Sequence, residues 1–332
     1  MGRTKIEWAD VTWNPVRGCL RVSEGCRHCY AARMAARFWS GAGGLAEFRG
    51  GEARWTGRVE LVERKLLEPL WWRKPRRVFV DSMGDLFYGR VRRQWIEQVF
   101  GVMALARRHV FMVLTKRPLR MRMLLADQDA MRKGVENAAR RLDGLFNLRM
   151  LEGRPLPNVW LGVSVEDQRT ADERIPDLLA TPAALRFVSC EPLLGPVDLR
   201  PWLGEHRRQR LDWVIVGGET GPGARPMHRW WVRAICNQAT AAGVPFFFKQ
   251  WGEWLPAGQF GADGDTPTPA NTGCWQHGEL ALAVWPDGRS SGSLEEDDGV
   301  VCYRVGRRKA WRLLDGKTWD QMPSPVCADD EG

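Results

Sequence analysis

Cys19, Cys26 and Cys29 stand in one short window, Gly18-Cys-Leu-Arg-Val-Ser-Glu-Gly-Cys-Arg-His-Cys-Tyr30, with the spacing C-x6-C-x2-C. Thiolates are the ligands of iron–sulfur clusters and of structural zinc. Three of them this close suit a shared metal centre, not a disulfide framework. A cytosolic chain keeps such thiols reduced, which favours metal ligation further. Iron–sulfur clusters usually take four thiolates. Three would leave one iron of a four-iron cluster without a protein ligand, and an open metal position is where a substrate or cosubstrate binds. A helix expected from Ala31 to Trp39 would point its N-terminus at the loop, and the positive end of its dipole favours anionic sulfur.

Zinc is the alternative. His28 lies inside the C-x2-C turn and cannot easily share an ion with both of its neighbours. Cys274-Trp-Gln-His277 is a distant C-x2-H pair, and Cys26 and Cys29 with Cys274 and His277 would make a Cys3His-type site. Cys19 is then unexplained. Cys190, Cys236, Cys274, Cys302 and Cys327 are scattered and read most simply as small buried or surface residues.

The elements that must position this loop follow a rhythm. Short apolar, β-branched or aromatic runs end in polar residues and lead into helix-like segments. The runs are Val11–Trp13, Arg77–Val80, Val110–Leu114, Val159–Val163, Leu185–Val188, Trp213–Val216 and Pro245–Phe248. Continuous apolar runs bounded by turn residues suit strands buried on both faces. Between them, Trp95, Ile96, Val99, Phe100 and Met103 share one helical stripe, as do Trp231, Ala234, Ile235 and Ala239. Strand–helix alternation predicts parallel βα units. The expected fold is α/β: a (β/α) barrel, partial or complete, over residues 1–255. It carries an inserted helical, basic segment at about 127–157. Residues 256–332 read as an irregular insertion and C-terminal extension packed on the barrel, with 256–299 rich in Gly, Pro, Asp and Ser.

In such barrels functional residues gather at the C-terminal ends of the strands. Here those ends read Asn14, Asp81, Thr115, Ser164, Glu166, Glu191, Glu219 and Lys249. Each also has a purely structural use. Asp81 and Asp85 could cap helices, Lys116 could be a solvated loop charge, and Glu191, before Pro192, could fix a turn.

Composition is that of an ordinary globular chain, 44% hydrophobic and 27% charged. No apolar run approaches the ~20 residues of a membrane span, and the start of the chain lacks an apolar signal core. A cytoplasmic protein with no membrane partner is expected. The net charge of +9 and the 18 tryptophans suit a nucleic acid or nucleotide partner. Arginine-favouring codons of a GC-rich genome would produce the same charge.

A three-cysteine loop between the first strand and first helix of a (β/α) barrel resembles the radical S-adenosylmethionine (SAM) superfamily. That superfamily's usual spacing is C-x3-C-x2-C, three residues shorter, and His28 stands where it has an aromatic residue. More closely, the chain resembles a phage and bacterial family of unknown function with this variant motif. The matching pieces are Trp8-Ala-Asp-Val-Thr-Trp-Asn-Pro15, Asp81-Ser-Met-Gly-Asp-Leu-Phe87, Leu114-Thr-Lys-Arg-Pro118 and Trp160-Leu-Gly-Val-Ser-Val-Glu166. They continue with Ser189-Cys-Glu-Pro-Leu-Leu-Gly-Pro196, Gly217-Gly-Glu-Thr-Gly-Pro-Gly-Ala-Arg-Pro226, Phe248-Lys-Gln-Trp-Gly252 and Leu314-Asp-Gly-Lys-Thr-Trp319.

The resemblance implies a [4Fe-4S] cluster on Cys19, Cys26 and Cys29, SAM on the open iron, and an electron donor protein as partner. Position at the strand ends then suggests cofactor-binding roles. Asp81 or Asp85 would accept the SAM amino group, with Ser82 and Thr115 beside them. Lys116 or Arg117 would pair with the SAM carboxylate, and Ser164 and Glu166 would bind the ribose. Gly217 and Gly218 would let the adenine approach the backbone. Glu219 resembles the superfamily's Gly-Gly-Glu amine motif but follows a late strand. Glu191 and Lys249 are the catalytic candidates. The expected function is a radical SAM-type enzyme acting on a nucleic acid or nucleotide. One alternative is a zinc-stabilised nucleic-acid-binding protein. Another is a hydrolase using Asp81, Glu166, Glu191 and Glu219, which leaves the cysteines idle and lacks any G-x-S-x-G, H-E-x-x-H or Walker A motif.

Overall fold

The computed structural model describes residues 4, 6–39, 44–142, 155–204, 209–259, 281–284, 287, 290–291 and 299–324. Cys274, His277, Cys327, residues 143–154 of the expected insertion and most of 256–299 lie outside the described residues.

All seven predicted runs become strands of one parallel sheet, and they pair in the order in which they occur in the chain. They are β1 (Val11–Trp13), β2 (Arg77–Val80), β3 (Val110–Thr115), β4 (Val159–Ser164), β5 (Leu185–Cys190), β6 (Trp213–Gly217) and β7 (Phe246–Gln250). Every residue of β4 and β6 is buried, as expected for strands covered on both faces. The sheet is a half-barrel: β1 pairs with β2 and β7 with β6, and the two end strands do not meet among the described residues.

Helices lie against one face of the sheet. They include α2 (Arg93–Leu105), α3 (Pro118–Ala126), α4 (Gln128–Leu142), α5 (Gln168–Leu179) and α6 (Arg229–Ala241), while α1 (Tyr30–Phe38) packs on a hairpin of Ala46–Arg49 and Glu52–Trp55. Strand residues alternate between two cores, because successive side chains point to opposite faces. Phe111, Val113, Leu161, Val163, Val188, Val214, Val216 and Phe248 join the helix-facing core with Ile96, Val99 and Ile235. Met112, Trp160, Phe187, Trp213, Ile215 and Phe247 form a second core on the concave face. Trp213 is its hub, with edge-on contacts to Trp8 and Trp160 at 6.2 and 6.1 Å. These rings fill the concave face toward the strand N-termini. Gly162 has no side chain because Phe187 needs the space; a Cβ there would sit 2.5 Å from the ring.

The two edges of an open sheet are a liability. The β7 edge is covered by the chain's own C-terminal segment. Phe248 N donates to Trp319 O (2.9 Å) and Gln321 N to Phe246 O (3.2 Å). The buried Trp213 indole donates to Gln321 O (2.9 Å). A chain ending at Thr318 should therefore lose several degrees of thermal stability and gain scattering on heating. A Tm and light scattering equal to those of the full chain would show that this cover is dispensable.

The sequence rhythm did not reveal three antiparallel pieces. Val16–Arg17 pairs with Glu60–Leu61, and Ala46–Arg49 forms a hairpin with Glu52–Trp55. A four-stranded sheet contains Trp254–Pro256, Val300–Arg304, Ala281–Val284 and Ser290–Ser291 in that order. The boundary expected at 255/256 falls inside the strand Trp254–Pro256. The inserted segment contributes α4, which packs on α2. No helix among the described residues is long and apolar enough to cross a membrane.

Candidate functional site

The loop after β1 carries the three cysteines across the C-terminal mouth of the half-barrel. Gly18 bridges to Gly84 and has φ +97°, a conformation that disfavours any side chain. Cys29 occupies the position before the first turn of α1. All three thiols are free and half-buried. Burial pushes the Cys19 thiol up to about 12, with the Asp85 charge adding to it and Arg117 opposing. Arg117 Nη1 lies 3.5 Å from its sulfur. Burial also raises the Cys29 thiol, while the amides of Ala31 and Ala32 and the Trp55 indole favour its thiolate. Cys29 acts electrostatically on Cys19, and Cys26 on Cys29, so the three share one neighbourhood. Thiols raised in this way stay protonated until a metal displaces the proton.

Among the described residues, no group of three or more His, Cys, Asp and Glu side chains is arranged to hold a metal ion. A single tetrahedral zinc would bring its sulfurs to about 3.8 Å from one another, given Zn–S bonds of about 2.3 Å. A four-iron cluster sets each thiolate on a different iron and so spaces them more widely. The soft donor set, with Arg117 and helix amides beside it, is chemically matched to such an anionic cluster.

Two buried carboxylates fasten the cysteine loop to the sheet. Glu166, just beyond β4, accepts from Ser23 Oγ (2.6 Å) and Gly25 N (3.1 Å) on the loop, and from Arg174 Nη1 (3.2 Å) and Lys116 Nζ. Burial opposes its ionisation, but Lys116, Ser23 and Arg174 outweigh that and hold its pKa at about 2. Gly25 leaves room for this contact: a Cβ there would sit 2.5 Å from the Glu166 carboxyl carbon and force that side chain to shift. Glu219, beyond β6, forms a bidentate pair with Arg225 (2.8 and 2.9 Å), and Arg225 reaches across to Glu24 O (3.0 Å). His28 Nδ1 approaches Glu219 to 3.1 Å. Burial raises the Glu219 pKa, and Arg225 and His28 more than offset it, leaving it below the usual range.

The ends of β2 and β3 form a third polar group. Asp85 accepts from Thr115 Oγ1 (2.7 Å), Phe87 N (3.0 Å), Lys116 N (3.1 Å) and Arg117 Nη1 (2.7 Å). Both of its oxygens are engaged. Asp81 is different. Its backbone is left-handed, φ 54°, and its Oδ1 accepts from Val16 N (3.0 Å). Its Oδ2 is buried with no hydrogen-bond partner among the described residues. Burial, with Asp85 nearby, holds its pKa well above the carboxylate range. Ser82 Oγ donates to Asn14 Oδ1 (3.0 Å).

On the concave face, Glu191 and Lys249 meet. Lys249 Nζ lies 2.9 Å from Glu191 Oε1, and Ser189 Oγ donates to Glu191 Oε2 (3.0 Å). Glu191 follows β5 and Lys249 belongs to β7, so the pair crosses β6. Gly217 makes that possible: a Cβ there would sit 2.5 Å from Glu191 Oε1. The register of β6 also shifts at Val216/Gly217, and bulges of this kind re-aim neighbouring side chains. Ser164 pairs in register with Ser189, extending the polar layer toward β4.

The predicted strand ends thus gather at one mouth, with different partners from those expected. Lys116 and Glu166 are bonded to each other, so pairing Lys116 with a SAM carboxylate, or Glu166 with ribose, would require opening that contact. The space beside Gly217 holds the Glu191 carboxylate, and that beside Gly218 holds the Trp251 carbonyl. Ser23, Arg174 and Arg225 were not singled out from sequence. Arg225 lies within the quoted Gly217–Pro226 piece, which was the available signal.

A family model described as a protein of unknown function (DUF5131) matches residues 3–323. The chain therefore belongs to that family. No curated protein and no solved structure matches it.

Proposed function

We propose that this DUF5131 member is a radical SAM-type enzyme that acts on a nucleic acid or nucleotide. One observation supports the reading above the others: three free thiols on the loop after β1 lie over the strand C-termini of a parallel half-barrel. Cys19, Cys26 and Cys29 would hold a [4Fe-4S] cluster, and Arg117 and the amides of Ala31 and Ala32 would balance its negative charge. When bound, cluster and SAM would supply a 5′-deoxyadenosyl radical by one-electron cleavage of SAM.

The chain's own residues position and shield. Glu166 and Glu219 fix the loop from two sides of the mouth. Of the two aspartates expected to receive the SAM amino group, Asp81 retains an unpartnered oxygen and Asp85 does not. The aromatic layer under the mouth excludes water from the strand side. The basic net charge favours a polyanionic substrate.

The test is anaerobic purification, reduction, and electron paramagnetic resonance with and without SAM. A [4Fe-4S]⁺ signal that SAM perturbs is expected. Stoichiometric zinc and no iron signal would replace this reading with a zinc-stabilised binding protein.

A further inference from the structure

Glu191 and Lys249 are oppositely charged, nearly buried and adjacent, yet their side chains remain 16% and 18% exposed. The pair is therefore open to the mouth and not sealed in the core. Ion pairs of this kind lose much of their Coulomb energy to desolvation and are a weak source of stability. Among the described residues, their hydrogen-bonding capacity is also not filled. The ammonium has three donors, with one directed at Glu191. The carboxylate accepts from Lys249 on one oxygen and from Ser189 on the other, and each oxygen has a further lone pair.

The charges restrict what can bind. A phosphate or carboxylate group at this position would face Glu191, and a cation would face Lys249. A neutral group that offers an acceptor to Lys249 and, beside it, a donor to Glu191 satisfies both. Such side-by-side donor and acceptor patterns are what nucleobase edges present. Beneath the pair lies the dry aromatic layer of Phe187, Trp213 and Phe247, each no more than 3% exposed. Low local polarity strengthens hydrogen bonds formed above it. Enzymes that do chemistry on a base take it out of the stack and read its edge by hydrogen bonds in a pocket.

We infer that Glu191 and Lys249, with Ser189 as the orienting hydroxyl and Gly217 as the gap they cross, form a subsite for the edge of a nucleobase. The sugar and phosphate lie elsewhere. This rests on the proposed function for its substrate class, but binding at the subsite does not need the cluster.

The experiment is direct binding of uridine, guanosine, adenosine and cytidine, and of a short single-stranded oligonucleotide, by calorimetry. The proteins are wild type, Glu191→Gln, Lys249→Met and Gly217→Ala, with circular dichroism and Tm as folding controls. Gly217→Ala displaces Glu191 without changing either charge, so it tests the geometry separately. Each variant is expected to weaken binding of at least one nucleoside by tenfold or more, with ribose 5-phosphate not competing. Absence of nucleoside binding by wild type at millimolar concentration would overturn the assignment. So would folded variants that bind as wild type does, or oligonucleotide binding that depends on salt alone. A colourless, iron-free protein that still loses nucleoside affinity in the variants would sink the radical reading and leave the subsite standing.

Discussion

Glu166→Ala is expected to destabilise the protein by about 3–5 kcal/mol, the range for removing one partner of a buried ion pair. The carboxylate is 1% exposed and is shared by Lys116 and Arg174. Its loss leaves two cations without their counter-charge and Ser23 and Gly25 without their acceptor. The effect should also be readable in pH. Burial opposes ionisation, yet Lys116, Ser23 and Arg174 hold the folded pKa at about 2, below the ordinary 4.5. Because the folded value is the lower one, the stabilisation is fully present above pH 4.5 and is lost as pH falls toward 2. The difference corresponds to about 3 kcal/mol. Denaturant unfolding at a series of pH values would show wild type losing stability in this window and Glu166→Gln losing less. Equal slopes would mean that another carboxylate controls the acid limb.

Gly218→Ala is expected to cost about 3 kcal/mol or more, at the upper end for overpacking. A Cβ there would collide with the carbonyl of Trp251, and backbone cannot rotate aside as a side chain can. Gly252 is the reciprocal contact: with φ +89° it lies against the Glu219 carbonyl. The two glycines let the ends of β6 and β7 approach, which sets Glu219 and Trp251 in place. Gly89→Ala is the control, since nothing lies within 4 Å of its Cβ position. Thermal unfolding should show a large drop in Tm for Gly218→Ala and almost none for Gly89→Ala. A small effect at Gly218 would show that the β6 and β7 ends can separate cheaply.

The seven strands and their polar ends were legible because parallel strands covered on both faces must be continuous apolar runs. Runs such as Trp213–Val216 have no other comfortable place. Their order in the sheet is the order of the chain, as is common when consecutive strands become neighbours. The grouping of the three thiols was legible for a different reason, since residue type and spacing within a dozen residues bring them together. The strands Trp254–Pro256 and Val300–Arg304 were not legible. Each is short, and their pairing with each other spans more than 40 residues, beyond any local pattern.

The partners of the strand-end residues lay beyond the sequence as well. Glu166 and Lys116 are both polar residues after a strand, and nothing in either neighbourhood says that they bond to each other. Glu191 reaches Lys249 only because a glycine stands in the strand between them and that strand's register shifts there. Strand identity, the grouping of the thiols and the rim on which polar residues stand are thus local properties of this chain, carried by hydrophobic pattern and residue type. Which acid meets which base depends on register and on the few ångströms that a missing Cβ leaves open, and only the assembled sheet decides that.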